Sequence, residues 1–175
     1  LSAARRLSEA EAAEVLARAQ AIPANRGASP TLLRPVPASG LDGRDASIDP
    51  PVAHRLLLVF VSLSCDGCRQ LFEVASEPGA FGLGGQDELA FVARDEEDAD
   101  ALAALVGPAT GLLSSAAFSA YRVSGPPFFV LLDAAFSSVA TEGVAWGVEP
   151  IRSAVAAARG GDPGLEVPRL DVEQQ

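Results

Sequence analysis

Six consecutive apolar residues, Leu56-Leu57-Leu58-Val59-Phe60-Val61, stand between Arg55 and Ser62. A run of that length without polar alternation predicts a central β-strand covered by helices on both faces. Phe128-Phe129-Val130-Leu131-Leu132 predicts a second buried strand, entered through the rigid turn Ser124-Gly125-Pro126-Pro127. Shorter strands are expected over Leu89–Ala93 and, more exposed, over Ser137–Thr141. Elsewhere the apolar spacing becomes helical. Leu71, Phe72 and Ala75 predict a helix over Cys65–Ala75, and Leu102 and Leu105 form the inner side of one over Glu96–Val106. Ile151, Val155 and Ala158 stripe a last helix from about Glu149 to Arg159, stopped by Gly160-Gly161.

Ahead of the first strand, Ser8 and Glu11 form a capping box for a helix over Ser8–Ile22, with Val15, Leu16, Ala19 and Ile22 on one face and Pro23 at its end. It either packs on the domain or spaces the domain from a preceding anchor. Residues 23–40, rich in Pro, Gly and Ser, read as a linker. The Asp42-Gly43 step within Leu41–Ile48 is a hairpin signal. The expected order is β-hairpin, β, α, β, α, Pro turn, β, β, α. This is an α/β fold with a central mixed sheet flanked by helices, preceded by an N-terminal helix and a hairpin extension. Residues 1–30 are assigned to the helix and linker, 31–160 to the domain and 161–175 to a flexible tail.

At 175 residues the chain suits one core. Although 49% of its residues are hydrophobic, it has no uninterrupted apolar run near the roughly 18 to 20 residues that a membrane-spanning helix needs. It starts at Leu1, from which we expect a processed or trimmed product, with any signal peptide or membrane anchor that preceded it lost from view. There is no Lys. Thirteen Arg against 23 Asp and Glu give a net charge of −10, which repels a phosphate backbone and excludes nucleic acid as a partner.

Only two cysteines occur, in Ser64-Cys65-Asp66-Gly67-Cys68. They are too few for a disulfide scaffold or a four-ligand structural zinc site. A cysteine at the start of a helix is favoured as thiolate, which makes Cys65 the expected nucleophile. Cys68, at i+3 on the same helix face, can close a disulfide with it and resolve a mixed disulfide. Two simpler readings stand beside this one. The pair could be a fixed staple, although so small a loop constrains the unfolded chain little. It could also bind a metal with ligands from a partner, since His54 is the sole histidine and reads as a surface residue.

Four features together resemble the thioredoxin superfamily, and within it the extracytoplasmic thiol-disulfide oxidoreductases of the TlpA-like and methylamine-dehydrogenase-accessory kinds. They are the hairpin around Leu41-Asp42-Gly43-Arg44, the strand running into Cys65-x-x-Cys68, the segment Tyr121–Val130 with its double proline, and the closing hairpin and helix. The resemblance implies a thioredoxin-like fold over roughly residues 31–159, with Cys65 and Cys68 catalytic. It places Ser64, Asp66, Gly67, Pro126 and Pro127 at the substrate surface, with Pro127 as a cis-proline opposite the cysteines. An alternative alignment makes Pro126 the cis residue. No cofactor or metal is implied. The expected partners are thiol or disulfide client proteins and a redox partner, and the expected state is an extracytoplasmic monomer, secreted or membrane-anchored.

Three departures qualify that picture. Ser64 stands where an aromatic residue commonly precedes the first cysteine. Val59 takes the place of a buried acid, so proton transfer at Cys68 needs water or another group. Pro126 has no N–H with which to pair a bound peptide. Asp66 disfavours the Cys65 thiolate, partly offset by Arg69, which points to a moderately reducing protein. A thioredoxin-like accessory module with a structural or vestigial disulfide is the other reading, and Val59 and Pro126 favour it. The acidic run Asp95-Glu96-Glu97-Asp98 with Asp100 reads as a solvated helix start. Trp146 and Tyr121 read as packing residues, Tyr121 close enough to the Pro turn to shape its rim, and Phe128 and Phe129 as core.

Overall fold

The computed structural model of the protein describes residues 34–134 and 138–159. The helix expected over Ser8–Ile22, the first part of the linker and the C-terminal tail lie outside the described residues. In chain order the elements are β1 (Val36–Gly40), β2 (Asp45–Ile48), β3 (Arg55–Phe60), α1 (Arg69–Glu73), β4 (Glu88–Ala93), α2 (Ala99–Val106), β5 (Thr110–Leu113), α3 (Ser115–Ala120), β6 (Phe128–Asp133), β7 (Ser138–Val144) and α4 (Val148–Arg159). The described strands form one sheet in the order β2-β1-β5-β4-β3-β6-β7. Strands β3, β4 and β5 run parallel, with antiparallel β1 beyond β5 and antiparallel β6 and β7 beyond β3.

The apolar run does what its composition requires. Leu57, Leu58, Val59 and Phe60 are wholly buried because side chains alternate to opposite faces and both faces are covered. On one face Leu57 and Val59 join Phe91, Phe129 and Leu131 in a cluster with Leu71 of α1, Leu102 and Val106 of α2, and Ile151 and Val155 of α4. On the other, the Phe60 ring meets Phe118 of α3 edge to face, centroids 4.9 Å apart. Each such buried side chain contributes about 1.5 to 3 kcal/mol by leaving water.

Several boundaries differ from the pattern-based expectation. Strand β1 begins at Val36, inside the stretch read as linker. Its pairing with β5 involves only Ser39 and Gly40, which leaves Pro37 without a neighbour on that side, and the Pro37 carbonyl accepts from Ser114 Oγ at 2.6 Å. The hairpin turn holds Gly43 at φ 88°, a conformation glycine adopts freely. The helix expected over Cys65–Ala75 is shorter. A 3₁₀ turn, Asp66–Cys68, precedes the five residues of α1, after which Val74 and Ala75 bond back three residues and Pro78 forces Glu77 out of helical geometry. Helix α2 starts at Ala99 rather than Glu96, because Asp98 caps it by accepting from Ala101 N at 3.1 Å. Leu105 is exposed, and Val106 fills the inner position beside Leu102. Strand β7 runs on to Val144 past the expected end at Thr141. Strand β5 and helix α3 are too short to show a period of their own. No helix of the described residues is long and apolar enough to cross a membrane.

At the end of β3 remote from the cysteines, Arg55 donates to Asp87 through Nη2 at 2.8 Å and Nε at 3.3 Å, and to the Val155 carbonyl through Nη1 at 3.3 Å. Gly84 N also donates to the Asp87 carboxylate, at 2.8 Å. Burial alone would raise the Asp87 pKa, but the bonds from Arg55 and Gly84 and the guanidinium charge outweigh it and hold the group below its ordinary 3.8. The charged carboxylate therefore stabilises the fold above about pH 4, and that contribution disappears as pH falls through the lowered folded value. Asp87→Asn should lower unfolding free energy at pH 7 by about 2 kcal/mol, between the values for exposed and fully buried pairs. Urea midpoints measured from pH 7 down to 3 should converge for the two proteins at the acid end. Parallel curves would exclude this linkage.

Candidate active site

Strand β3 delivers the chain to the site. Val61 N still donates to the Val92 carbonyl, after which the backbone leaves the sheet at Ser62. Leu63 N donates to Glu97 Oε1 at 3.1 Å, Cys65 N to the Ser62 carbonyl at 3.3 Å, and the hydroxyls of Ser62 and Ser64 lie 3.3 Å apart. Cys65 caps the 3₁₀ turn in an extended conformation, and Cys68 N donates to its carbonyl at 3.1 Å. The two cysteines form a disulfide with Cα atoms 5.4 Å apart. Their exposures differ: Cys65 is half-buried, whereas Cys68 is wholly buried beneath the turn.

The opposite wall comes from the segment before β6. Arg94, at the end of β4, places its guanidinium 4.1 Å above the Phe118 ring and donates from Nη2 to the Ser124 carbonyl at 3.2 Å. This contact holds the chain entering Gly125-Pro126-Pro127. The Pro126–Pro127 peptide bond is cis, so Pro127 rather than Pro126 is the cis residue. Pro127 is buried, and its carbonyl accepts from Ala145 N at 3.0 Å.

Gly67 brings the two walls together. A side chain there would meet Pro127 Cγ at 3.3 Å and Trp146 Cζ3 and Cε3 at 3.0 and 3.1 Å, so the backbone of the cysteine turn lies close against both rings, and a larger residue would require them to give way. Of the residues singled out from sequence, Cys65, Cys68, Gly67 and Pro127 thus converge. Ser64 and Asp66 are exposed on the rim, and Pro126 is half-buried beside Pro127.

Val59 is wholly buried among apolar side chains, so the place of a buried acid is dry and uncharged. Tyr121 is buried, as expected, and burial pushes its phenol up to about 12, which keeps it protonated near neutral pH. His54 pairs with Glu88, Nε2 to Oε1 3.2 Å.

Two residues take places that their sequence context did not signal. Trp146, expected to pack, is 70% exposed with one edge of its ring beside Gly67. Glu97, read as part of a solvated helix start, is half-buried, and its carboxylate anchors the backbone just before Cys65. An acidic run carries no mark of which member will turn inward. Among the described residues no three His, Cys, Asp or Glu side chains form a group that could hold a metal ion.

No family model matches the chain, and no curated protein matches its sequence. Solved structures do match. A secreted Mycobacterium tuberculosis disulfide oxidoreductase, described as homologous to E. coli DsbE, is 21% identical, with 74% of this chain and 99% of that one covered at a TM-score of 0.57. DsbF of MTB, in mixed oxidized and reduced forms, is 17% identical over 74% of this chain and 98% of its own, TM-score 0.56. StoA from Bacillus subtilis is 14% identical over 71% and 98%, TM-score 0.53. With its mixed seven-stranded sheet and flanking helices, the chain has the thioredoxin-like fold.

Proposed function

We propose that the protein is a thiol-disulfide oxidoreductase that reduces disulfides in client proteins through Cys65 and Cys68. The observation that carries this reading is the unequal burial of a disulfide pair whose turn, at Gly67, lies beside Pro127: one sulfur can meet a client and the other can meet only its neighbour. In the reduced protein the Cys65 thiolate attacks a client disulfide. A bond forms between Cys65 Sγ and one client sulfur, and the other client sulfur leaves as a thiolate and takes up a proton. Cys68 then loses its proton to water and attacks Cys65 Sγ, releasing the second client thiol and closing the Cys65–Cys68 disulfide. Two electrons pass to the client. A dithiol redox partner returns them to the pair by the reverse exchange.

Asp66, exposed beside Cys65, supports the reducing direction because a carboxylate there works against a stabilised thiolate. An extracytoplasmic location, secreted or anchored, is part of the same proposal. It is supported by the resemblance and by the likeness to the secreted Mycobacterium tuberculosis oxidoreductase. One observation favours the second reading, a non-catalytic accessory module: dry, apolar Val59 supplies no acid for proton transfer at Cys68.

Insulin reduction with dithiothreitol as terminal reductant separates the two. The wild type should accelerate it, and Cys65→Ser should fall to the dithiothreitol background. Equal rates for the two proteins, with a native disulfide that resists dithiothreitol, would leave only the accessory module, which should bind its client without Cys65.

A further inference from the structure

We propose that Trp146 is the specificity-determining residue of this site, a stacking platform that selects client segments bearing an aromatic side chain next to the reacting cysteine. The inference rests on the exchange reading above and names its substrate class. It begins with the backbone. Ala145 N donates to the Pro127 carbonyl at 3.0 Å, and Gly147 N donates to the Ala145 carbonyl at 2.7 Å, so Trp146 is the middle residue of a tight turn anchored on Pro127.

Both flanking residues are buried. Ala145 is wholly enclosed, and buried Gly147 holds φ 114°, a conformation that favours glycine, with Gln70 Oε1 3.1 Å from where a Cβ would sit. The turn therefore presents the indole outward, 70% exposed, while its Cε3–Cζ3 edge lies against the Gly67 backbone between the two cysteines. An exposed tryptophan fixed at a redox pair is a preorganised apolar surface.

Main-chain recognition is weak at the same place. Pro126 has no N–H, so strand-like pairing with a bound peptide loses the donor that this position would ordinarily supply. Ser64 offers no aromatic surface on the other side of Cys65. The Trp146 ring, against Gly67 and exposed to solvent, offers an apolar stacking contact beside the cysteine pair.

The test uses two peptides that differ only in Phe or Gly beside a cysteine blocked as a mixed disulfide with the same small thiol. The reduced wild type should react about twofold to twelvefold faster with the Phe peptide, the range an aromatic contact supplies. Trp146→Ala should bring that ratio to about one, and Trp146→Phe should keep most of it. A wild-type ratio near one, or an unchanged ratio in Trp146→Ala, overturns the proposal. Trp146 is the chain's only tryptophan, so its emission reports binding without chemistry. Titration with the Cys→Ser form of the Phe peptide should shift it saturably, and the Gly form should not. Should the wild type react with neither peptide, the exchange reading fails, and the titration alone decides whether the platform exists. A concentration-dependent dimer abolished by Trp146→Ala would make a second copy the occupant and overturn the proposal.

Discussion

Cys68→Ser is expected to hold client proteins on Cys65 as mixed disulfides that survive non-reducing electrophoresis and dissolve in dithiothreitol. Cys68 is wholly buried and bonded to Cys65, so no client sulfur reaches it and its one reaction is intramolecular attack on Cys65 Sγ. A serine hydroxyl cannot perform that attack near neutral pH. Every exchange then stops halfway, and steady-state turnover should fall to the rate at which external thiol clears the adduct. The fold should survive, because a disulfide closing so short a loop removes little entropy from the unfolded chain. Cys65→Ser/Cys68→Ser should capture nothing. Adducts of equal abundance in the single variant Cys65→Ser would show that Cys68 is the reactive sulfur and reverse the assignment of roles.

How much of this was legible in the sequence depends on whether the signal was local. The strand Leu56–Val61, the Cys65-x-x-Cys68 turn and the double proline before Phe128 could all be read, because each is a run or motif whose chemistry does not depend on distant residues. Strand β5 could not. Thr110-Gly111-Leu112-Leu113 becomes a strand by pairing with β4 on one side and β1 on the other. Helix α1 was overestimated because apolar spacing says where a helix can bury a face, whereas Pro78 and β-branched Val74 decide where it stops.

The site divides in the same way. Cys65, Cys68, Gly67 and Pro127 could be named, but the contacts around them come from two other parts of the chain. From the loop after β4, Glu97 accepts from Leu63 N and Arg94 donates to the Ser124 carbonyl, and Trp146 arrives from just beyond the end of β7. None has a local pattern. Each follows from which strand ends lie side by side once β3, β4 and β6 are adjacent.

Phe60→Ala should be among the most destabilising single changes in the domain, and it should also loosen the site. The ring is wholly buried at the last position of β3, edge to face with Phe118 at 4.9 Å and 6.3 Å from Tyr121. Deleting it removes the transfer free energy of a phenyl group and leaves a cavity under α3, together about 3 to 5 kcal/mol. Against a total of about 5 to 15 kcal/mol for a domain of this kind, that brings the fold close to its limit. The loss is also directional. Phe118 carries the Arg94 guanidinium on its other contact surface, and Arg94 holds the Ser124 carbonyl at the entry to the double proline. A Phe118 ring that tilts into the cavity takes that support with it. Urea denaturation should show the midpoint falling at unchanged slope, by an amount worth about 3 to 5 kcal/mol. Hydrogen exchange in the variant should show amides of 121–125 losing protection beyond those of α4, which packs on the opposite face of the sheet. A shift below about 1 kcal/mol, or exchange that rises equally in both regions, would mean that α3 and the Pro turn are held independently of Phe60.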